Sequence, residues 1–315
     1  MLGKTAGGLF WMFRYLERAE NIARLFEAGY RIALTSSASH EEEWSYILTT
    51  VGCTNEYLER HETYEASKVV DFLLRDKSNA SSVISVINAA RNNARLVRTA
   101  LTREVWEAVN DSWLTLKKLL SRPIREADLT DVLGVIRHQT SIVRGALHGT
   151  MLRNDIYNFA RMGTFLERCD NTARILDVKY YVLLPSVSYV GSSLDNVQWE
   201  AILRSASAER AYRWLNENEE GSGPTSIVKF LILDRRMPRS LRHCTEKIVK
   251  NLAYLFEDYG EVATCHTMAR DNYDHLSKQS VDSIFQIGLH EFLEDFLTRN
   301  NQLGQQIEAD YRFYE

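Results

Sequence analysis

Proline and glycine are scarce, with four and fifteen in 315 residues. A strand-rich fold turns about every ten residues and spends these two residues on its turns. Their scarcity therefore points away from sheets and toward long helices. Cysteine is scarce too. Cys53, Cys169, Cys244 and Cys265 form no Cys-x-x-Cys pair and keep no regular spacing, which argues against a disulfide framework and favours a reducing compartment. No apolar run of about 20 residues appears, so neither a membrane span nor a secretory signal is expected, and a cytoplasmic location follows by default. Positive charge is not in excess. The net charge is −4, without the basic footprint that nucleic-acid binding needs.

Catalytic and metal signatures are missing as well. Gly3-Lys4-Thr5 looks like the tail of a phosphate loop but lacks the preceding strand and glycine. No His stands three residues after a Glu, which removes the paired Glu-x-x-His of di-iron bundles, and no His-Glu-x-x-His zinc helix occurs. The adjacent pairs His243-Cys244 and Cys265-His266 point to different helix faces. There is no Gly-x-Ser-x-Gly elbow. The expectation is a chain with no metal site and no cofactor.

What is present is helical periodicity. Met12, Tyr15, Leu16, Ala19, Ile22, Ala23 and Phe26 recur with the 3.6-residue period and predict a helix over about Leu9 to Tyr30. Similar patterns predict helices over about 41–52, 64–76, 81–120, 128–153, 155–184, 197–217, 225–234, 238–260 and 277–312. Loops are expected at 185–196 and at Glu217–Pro224, where Ser, Gly and Pro collect. No segment alternates with period two long enough to demand a strand.

Two stretches of the chain match each other. Leu16-Glu17-Arg18-Ala19-Glu20-Asn21-Ile22-Ala23-Arg24 aligns with Leu166-Glu167-Arg168-Cys169-Asp170-Asn171-Thr172-Ala173-Arg174, six of nine positions being identical. Trp44-x-x-Ile47-Leu48 matches Trp199-x-x-Ile202-Leu203, and the string at 69–76 matches that at 227–234, in the same order. The predicted fold is an all-α helical bundle of two duplicated halves, 1–153 and 154–315, packed as one unit.

The matched strings keep polar identities. At about 100° per residue, Glu17, Glu20, Asn21 and Arg24 share one stripe, and Glu167, Asp170, Asn171 and Arg174 repeat it. The plain reading is a solvated face with ion pairs four residues apart. A solvated face tolerates almost any polar residue, however. Keeping the same acid, amide and guanidinium suggests a polar network or cleft that needs particular donors and acceptors. Its candidate residues are Glu17, Arg18, Asn21, Arg24, Glu167, Arg168, Asn171 and Arg174. The two stripes are expected to face each other across the halves, with Glu and Arg paired reciprocally. Weaker candidates are Arg91 and Arg95 in a third related string, Arg153, and the turn carrying Asp234, Arg239 and Ser240, whose arginines and free N–H groups suit an anion.

Leu9-Phe10-Trp11-Met12-Phe13-Arg14-Tyr15-Leu16-Glu17-Arg18-Ala19-Glu20-Asn21 resembles the opening of the bacterial alpha-E proteins, an all-helical family with a recurring Glu-Arg motif. Gly149-Thr150-Met151-x-Arg153 followed by Phe165-Leu166-Glu167-Arg168 resembles a second occurrence, and Pro238-Arg239-Ser240 is similar to another family string. The chain departs from the family at Asn92, where an acid is usual, and at Arg235, where Asp-Pro is usual. The resemblance implies a partner, a circularly permuted ATP-grasp ligase, often with a transglutaminase-like peptidase. Three functions stay open. The first is an accessory component that presents a polar cleft to a peptide or amino-acid substrate. The second is an acyl or aminoacyl transferase with Glu17 or Glu167 as general base. The third is a structural interaction module. Open exposure of Glu17 and Glu167 favours the first two, and full burial favours the third.

Overall fold

The computed structural model describes residues 1–33, 40–181, 192–216 and 223–314. These residues form fifteen α-helices: α1 (Gly3–Ala33), α2 (His40–Val51), α3 (Thr54–Leu58), α4 (Ala66–Leu74), α5 (Val83–Leu96), α6 (Arg103–Leu119), α7 (Leu129–Thr150), α8 (Asp155–Tyr181), α9 (Ser193–Ser205), α10 (Glu209–Leu215), α11 (Pro224–Leu233), α12 (Leu241–Tyr259), α13 (Thr264–Ser277), α14 (Val281–Ile287) and α15 (Leu289–Asp310). No strand occurs among the described residues, and the fold is all-α.

Hydroxyl caps set many of the boundaries. The side chains of Ser82, Thr102, Ser192 and Ser240 accept the backbone N–H three residues on, satisfying donors that a first helical turn leaves orphaned. Pro224 opens α11, where its missing N–H costs nothing. Gly260, at φ +72°, closes α12 in the left-handed conformation.

Four expectations change. The stretch 81–120 is not one helix, because Leu101 turns extended and Thr102 caps a new start. The stretch 197–217 begins earlier, at Ser193, and breaks where Ser207 takes φ +52°. The stretch 277–312 divides at Gly288, φ +104°. The unassigned stretch after Gly260 contains α13, whose buried residues are only Cys265, Ala269 and Leu276. The expected loops at 185–196 and Glu217–Pro224, and the end of the helix expected to reach 184, fall largely outside the described residues.

Two buried apolar clusters fill the bundle. One joins Met12, Leu16, Ile22 and Phe26 of α1 to α2, α4, α5, α6 and α7. The other joins Phe165, Leu166, Cys169 and Leu176 of α8 to α9, α11, α12, α13 and α15, with Leu9 and Phe10 of α1 reaching into it. Helices α1 and α8 lie against each other between these clusters. Their backbones nearly touch at one point: a Cβ on Gly163 would stand 2.2 Å from the Phe10 carbonyl oxygen. Only glycine permits that crossing. It brings the remaining, polar faces of α1 and α8 together, away from water. All four cysteines are buried and free. Among the described residues no helix is long and apolar enough to cross a membrane, and no three His, Cys, Asp or Glu side chains gather as a metal ion would require.

Candidate functional site: an interlocked Glu-Arg network

The two Glu-Arg pairs reach across to each other. Arg168 donates through Nε to Glu17 Oε1 at 2.8 Å and through Nη2 to Oε2 at 3.0 Å. Arg18 answers on Glu167, through Nε to Oε1 and through Nη2 to Oε2 at 3.1 Å. Both contacts are two-pronged guanidinium–carboxylate pairs, the geometry that adds direction to charge. Adjacent helix residues point about 100° apart. The Glu and the Arg of one helix therefore grip the other helix at two separate points, and the arrangement resists sliding as well as separation. Asn21 adds a third tie, Nδ2 to the Glu167 carbonyl oxygen at 3.0 Å, and Arg14 adds Nε to Glu167 Oε2 at 3.0 Å.

A second layer surrounds Glu20, one turn along α1. Its carboxylate accepts Arg24 Nε at 2.9 Å and Nη2 at 2.7 Å, Thr140 Oγ1 at 2.9 Å, and further bonds from Arg144 and Arg239. Arg144 and Arg239 also reach Glu17, at 3.3 and 3.2 Å. Arg24 continues to the Ser205 carbonyl at 2.8 Å and the Ser207 hydroxyl at 2.7 Å, just past the end of α9. Arg239 arrives from the turn before α12. There Asp234 accepts the N–H groups of Arg236 and Met237, Ser240 caps α12, and Thr172 of α8 holds the Arg239 carbonyl at 2.8 Å. Helices α1, α7 and α8 and the turn before α12 thus meet on two carboxylates, and Arg24 ties the end of α9 to them.

The network is buried. Glu17 is 1%, Glu20 0%, Glu167 4% and Arg168 8% exposed. The glutamates of the stripe are therefore not on a solvated face. Of the two arrangements the sequence left open, network or cleft, their burial fits the network, with Arg18 at its edge keeping 30% of its side chain exposed. Cavities lie elsewhere: a void of about 10 Å³ between α12, α13 and α15, and an open recess of about 310 Å³ beside Pro123.

The candidates separate. Glu17, Arg18, Asn21, Arg24, Glu167, Arg168 and Arg239 come together. Arg174 does not face Glu17 or Glu20; it bonds Asp170 on its own helix, Nε to Oδ2 at 2.7 Å. Asn171 is buried with both amide atoms unpaired, unlike Asn21. The expected opposition of Arg24 and Arg174 to the facing glutamates fails for this reason: each closes on the acid four residues before it, and Arg18 and Arg168 make the cross-helix contacts instead. Arg91 sits apart, bonded to Asn110 of α6 at 3.0 Å, and Arg95 is exposed. Arg153 binds the carbonyls of Met151 and His148. Asp234 and Ser240 shape the turn that delivers Arg239. Sequence reasoning missed Arg14, Arg144 and Thr140. The signal for the last two was the face of α7 shared by Arg137, Thr140 and Arg144, three and four residues apart; Arg14 stands four residues before Arg18 on α1.

The chain matches the family called Alpha-E, described as a predicted alpha-helical domain with a conserved ER motif, over residues 1–311. The chain belongs to the Alpha-E family. The two pairs that interlock here, Glu17-Arg18 and Glu167-Arg168, are Glu-Arg dipeptides of the kind that description names. No curated protein and no solved structure matches the chain.

The electrostatics of this Alpha-E network follow from its charges. Burial alone would raise the Glu17 carboxyl; the guanidiniums of Arg168, Arg144 and Arg239 outweigh it and hold the group well below the ordinary carboxylate range. Burial opposes ionisation of Glu20 too, yet Arg239, Arg144 and Arg24 carry it down to about 2 against the repulsion of Glu17. Glu167 is lowered by Arg18 and Arg14 against burial. Around Glu17 and Glu20 four guanidiniums face two carboxylates. The surplus shows in Arg239, pushed down to about 9 first by burial and then by Arg24. All three glutamates are ionised at neutral pH. Each oxygen of Glu17 and Glu20 takes at least two donors, and Glu167 takes three donors in all, with one on Oε1. A general base needs a proton affinity near the working pH, and the arginines hold all three carboxyls below that range.

An acid limit follows. A carboxylate whose folded pKa lies below its unfolded value of about 4.3 stabilises the fold above that value and loses the contribution as pH falls through the folded pKa. Melting temperature is expected to hold from pH 7 to about 5 and to fall steeply below about pH 4.5, with the Glu20 contribution lost as pH falls through about 2. Thermal melts followed by circular dichroism across that range check this. A melting temperature unchanged at pH 3 would contradict it.

Proposed function

We propose that the chain is a helical interaction module, the reading that burial of its glutamates favours, and that it serves as a non-catalytic accessory component of an ATP-grasp-linked system that forms or modifies peptides or amides. In this reading its Glu-Arg network is the clamp that gives the partner or substrate a rigid helical surface. The observation that carries it is the engagement of Glu17, Glu20 and Glu167 by arginines in the interior. Groups so engaged are suited to holding helices and unsuited to turning over a substrate. The link to a circularly permuted ATP-grasp ligase, and to a transglutaminase-like peptidase beside it, rests on the family resemblance and is fold-and-context analogy.

The test is reconstitution. The chain is purified with and without its neighbouring ATP-grasp protein, and ATP turnover and product are measured. The expected result is no turnover by the chain alone and at least a several-fold increase in product when it joins the ligase. Turnover by the chain alone would replace this reading with an enzymatic one. Identical ligase output with and without the chain would remove the accessory role.

A further inference from the structure

Beside the buried network, where α7 ends and α8 begins, stand cations that no carboxylate meets. Arg161 of α8 lies over the Phe165 ring, 4.1 Å from its centre, and its Nη1 contacts His148 Nε2 at 2.9 Å. His148 Nδ1 meets the Tyr157 hydroxyl at 2.8 Å. Arg153 lies over Tyr157 at 4.1 Å and donates to the carbonyls of Met151 and His148 at 3.0 and 2.7 Å. Among the described residues neither Arg153 nor Arg161 forms a salt bridge. His148 and Arg153 are exposed, so the corner opens to solvent.

The hydrogen bonding fixes the state of the ring. A guanidinium only donates, so His148 Nε2 accepts from Arg161 and carries a lone pair; its proton sits on Nδ1, toward Tyr157. Burial and then the charges of Arg161, Arg153, Arg168 and Arg144 hold the imidazole down at about 4. Arg168 and Arg144 are themselves engaged with Glu17 and Glu20, but those two carboxylates are outnumbered. Tyr157, Glu17 and Cys244 raise Arg161, and burial together with Arg168 still lowers that guanidinium to about 10. A cluster of cations facing water with no counter-charge is an anion site in waiting.

We infer that the corner formed by His148, Arg153 and Arg161 binds a dianionic oxyanion such as a phosphate group. Each guanidinium is steadied on an aromatic face and has five N–H groups; Arg153 gives two of them to the carbonyls of Met151 and His148 and Arg161 gives one to the His148 ring, which leaves donors on both for an oxyanion. Two uncompensated charges match a dianion better than a single carboxylate. The second proton goes to Nε2, which must first be released by Arg161 Nη1 as that guanidinium turns from the ring to the anion. The anion's charge then favours the imidazolium, so proton and anion are taken up together. This inference does not depend on the ATP-grasp reading.

The test uses the full chain with isotope-labelled histidine, the His148 ring being assigned through His148→Gln. Its protonation is followed by NMR from pH 8 to 5 at constant ionic strength in sodium chloride, sodium sulfate or sodium trifluoroacetate. Sulfate stands in for a phosphate dianion because its charge is constant over this range. In chloride the ring stays neutral throughout. In sulfate its proton affinity rises at least tenfold, trifluoroacetate has little effect, and Arg161→Gln and Arg153→Gln each abolish the sulfate response. Arg153 is exposed, so its variant keeps the test valid if Arg161→Gln fails to fold. A His148 titration identical in sulfate and chloride overturns the inference. So does a sulfate response that survives in the variants, and a response to trifluoroacetate equal to that to sulfate overturns the dianion assignment.

Discussion

Glu17→Gln is expected to destabilise the fold by about 3–5 kcal/mol, the cost of leaving buried charges unmatched. The carboxylate accepts both prongs of Arg168 and further bonds from Arg144 and Arg239. Glutamine keeps the volume and one acceptor oxygen, but turns an NH₂ group toward guanidiniums that already outnumber the acids. The melting temperature should drop by about 5–8 °C for a chain of this size. Glu107→Gln is the control. Its partner Arg103 is 83% exposed on the side chain, and such pairs contribute at most about 1 kcal/mol. Urea denaturation of the two variants beside the parent measures the difference. Losses of equal size would mean that burial of the network does not set its contribution.

Gly163→Leu is expected to cost about 3 kcal/mol, near the upper end of overpacking penalties. Even a bare Cβ would stand 2.2 Å from the Phe10 carbonyl oxygen and 3.0 Å from its carbon. Backbone cannot swing aside as a long side chain can, so α1 and α8 must move apart. The Glu17–Arg168 and Glu167–Arg18 contacts span that same crossing and lengthen with it. Gly134, within α7, has no heavy atom within 4 Å of the equivalent Cβ position. Gly134→Ala should therefore stabilise by about 0.5–1 kcal/mol, through the helix preference of alanine alone. Opposite signs for Gly163→Ala and Gly134→Ala would separate crossing sterics from helix propensity. A Gly163→Leu variant as stable as the parent would show that the helices are not held at this distance.

The sequence makes the helices legible where apolar residues keep their period. The stripe from Met12 to Phe26 is the clearest case, and it is buried as that period requires. Breaks within helical stretches were less legible. Between Leu96 and Thr102 no proline or glycine interrupts the chain, and only the Thr102 hydroxyl, capping Val105, marks the restart. Helix α13 was illegible because its buried stripe is three residues deep in a polar string.

The polar stripe was legible as particular but not as buried. A run of Glu, Asn and Arg reads as a solvated face unless its partner helix is known, and the matched string at 166–174 was the sign that it is not. Arg239 was visible only as part of a turn. Nothing local to residue 239 reveals that its guanidinium meets carboxylates on α1, 219 and 222 positions away. Arg144 carried no mark beyond its place on one face of α7.

The most direct test of the interlocked Glu-Arg arrangement is a double-mutant cycle on Glu17 and Arg168, by urea denaturation of the parent, Glu17→Gln, Arg168→Gln and the double variant. Residues sharing one network couple by about 0.5–3 kcal/mol. Glu17 is the one carboxylate that Arg168 grips, with both prongs buried. The predicted coupling is therefore in the upper half of that range, with the double variant clearly more stable than the sum of the single losses allows. Additivity within about 0.5 kcal/mol would contradict the account, leaving the two Glu-Arg pairs as neighbours that do not hold α1 to α8.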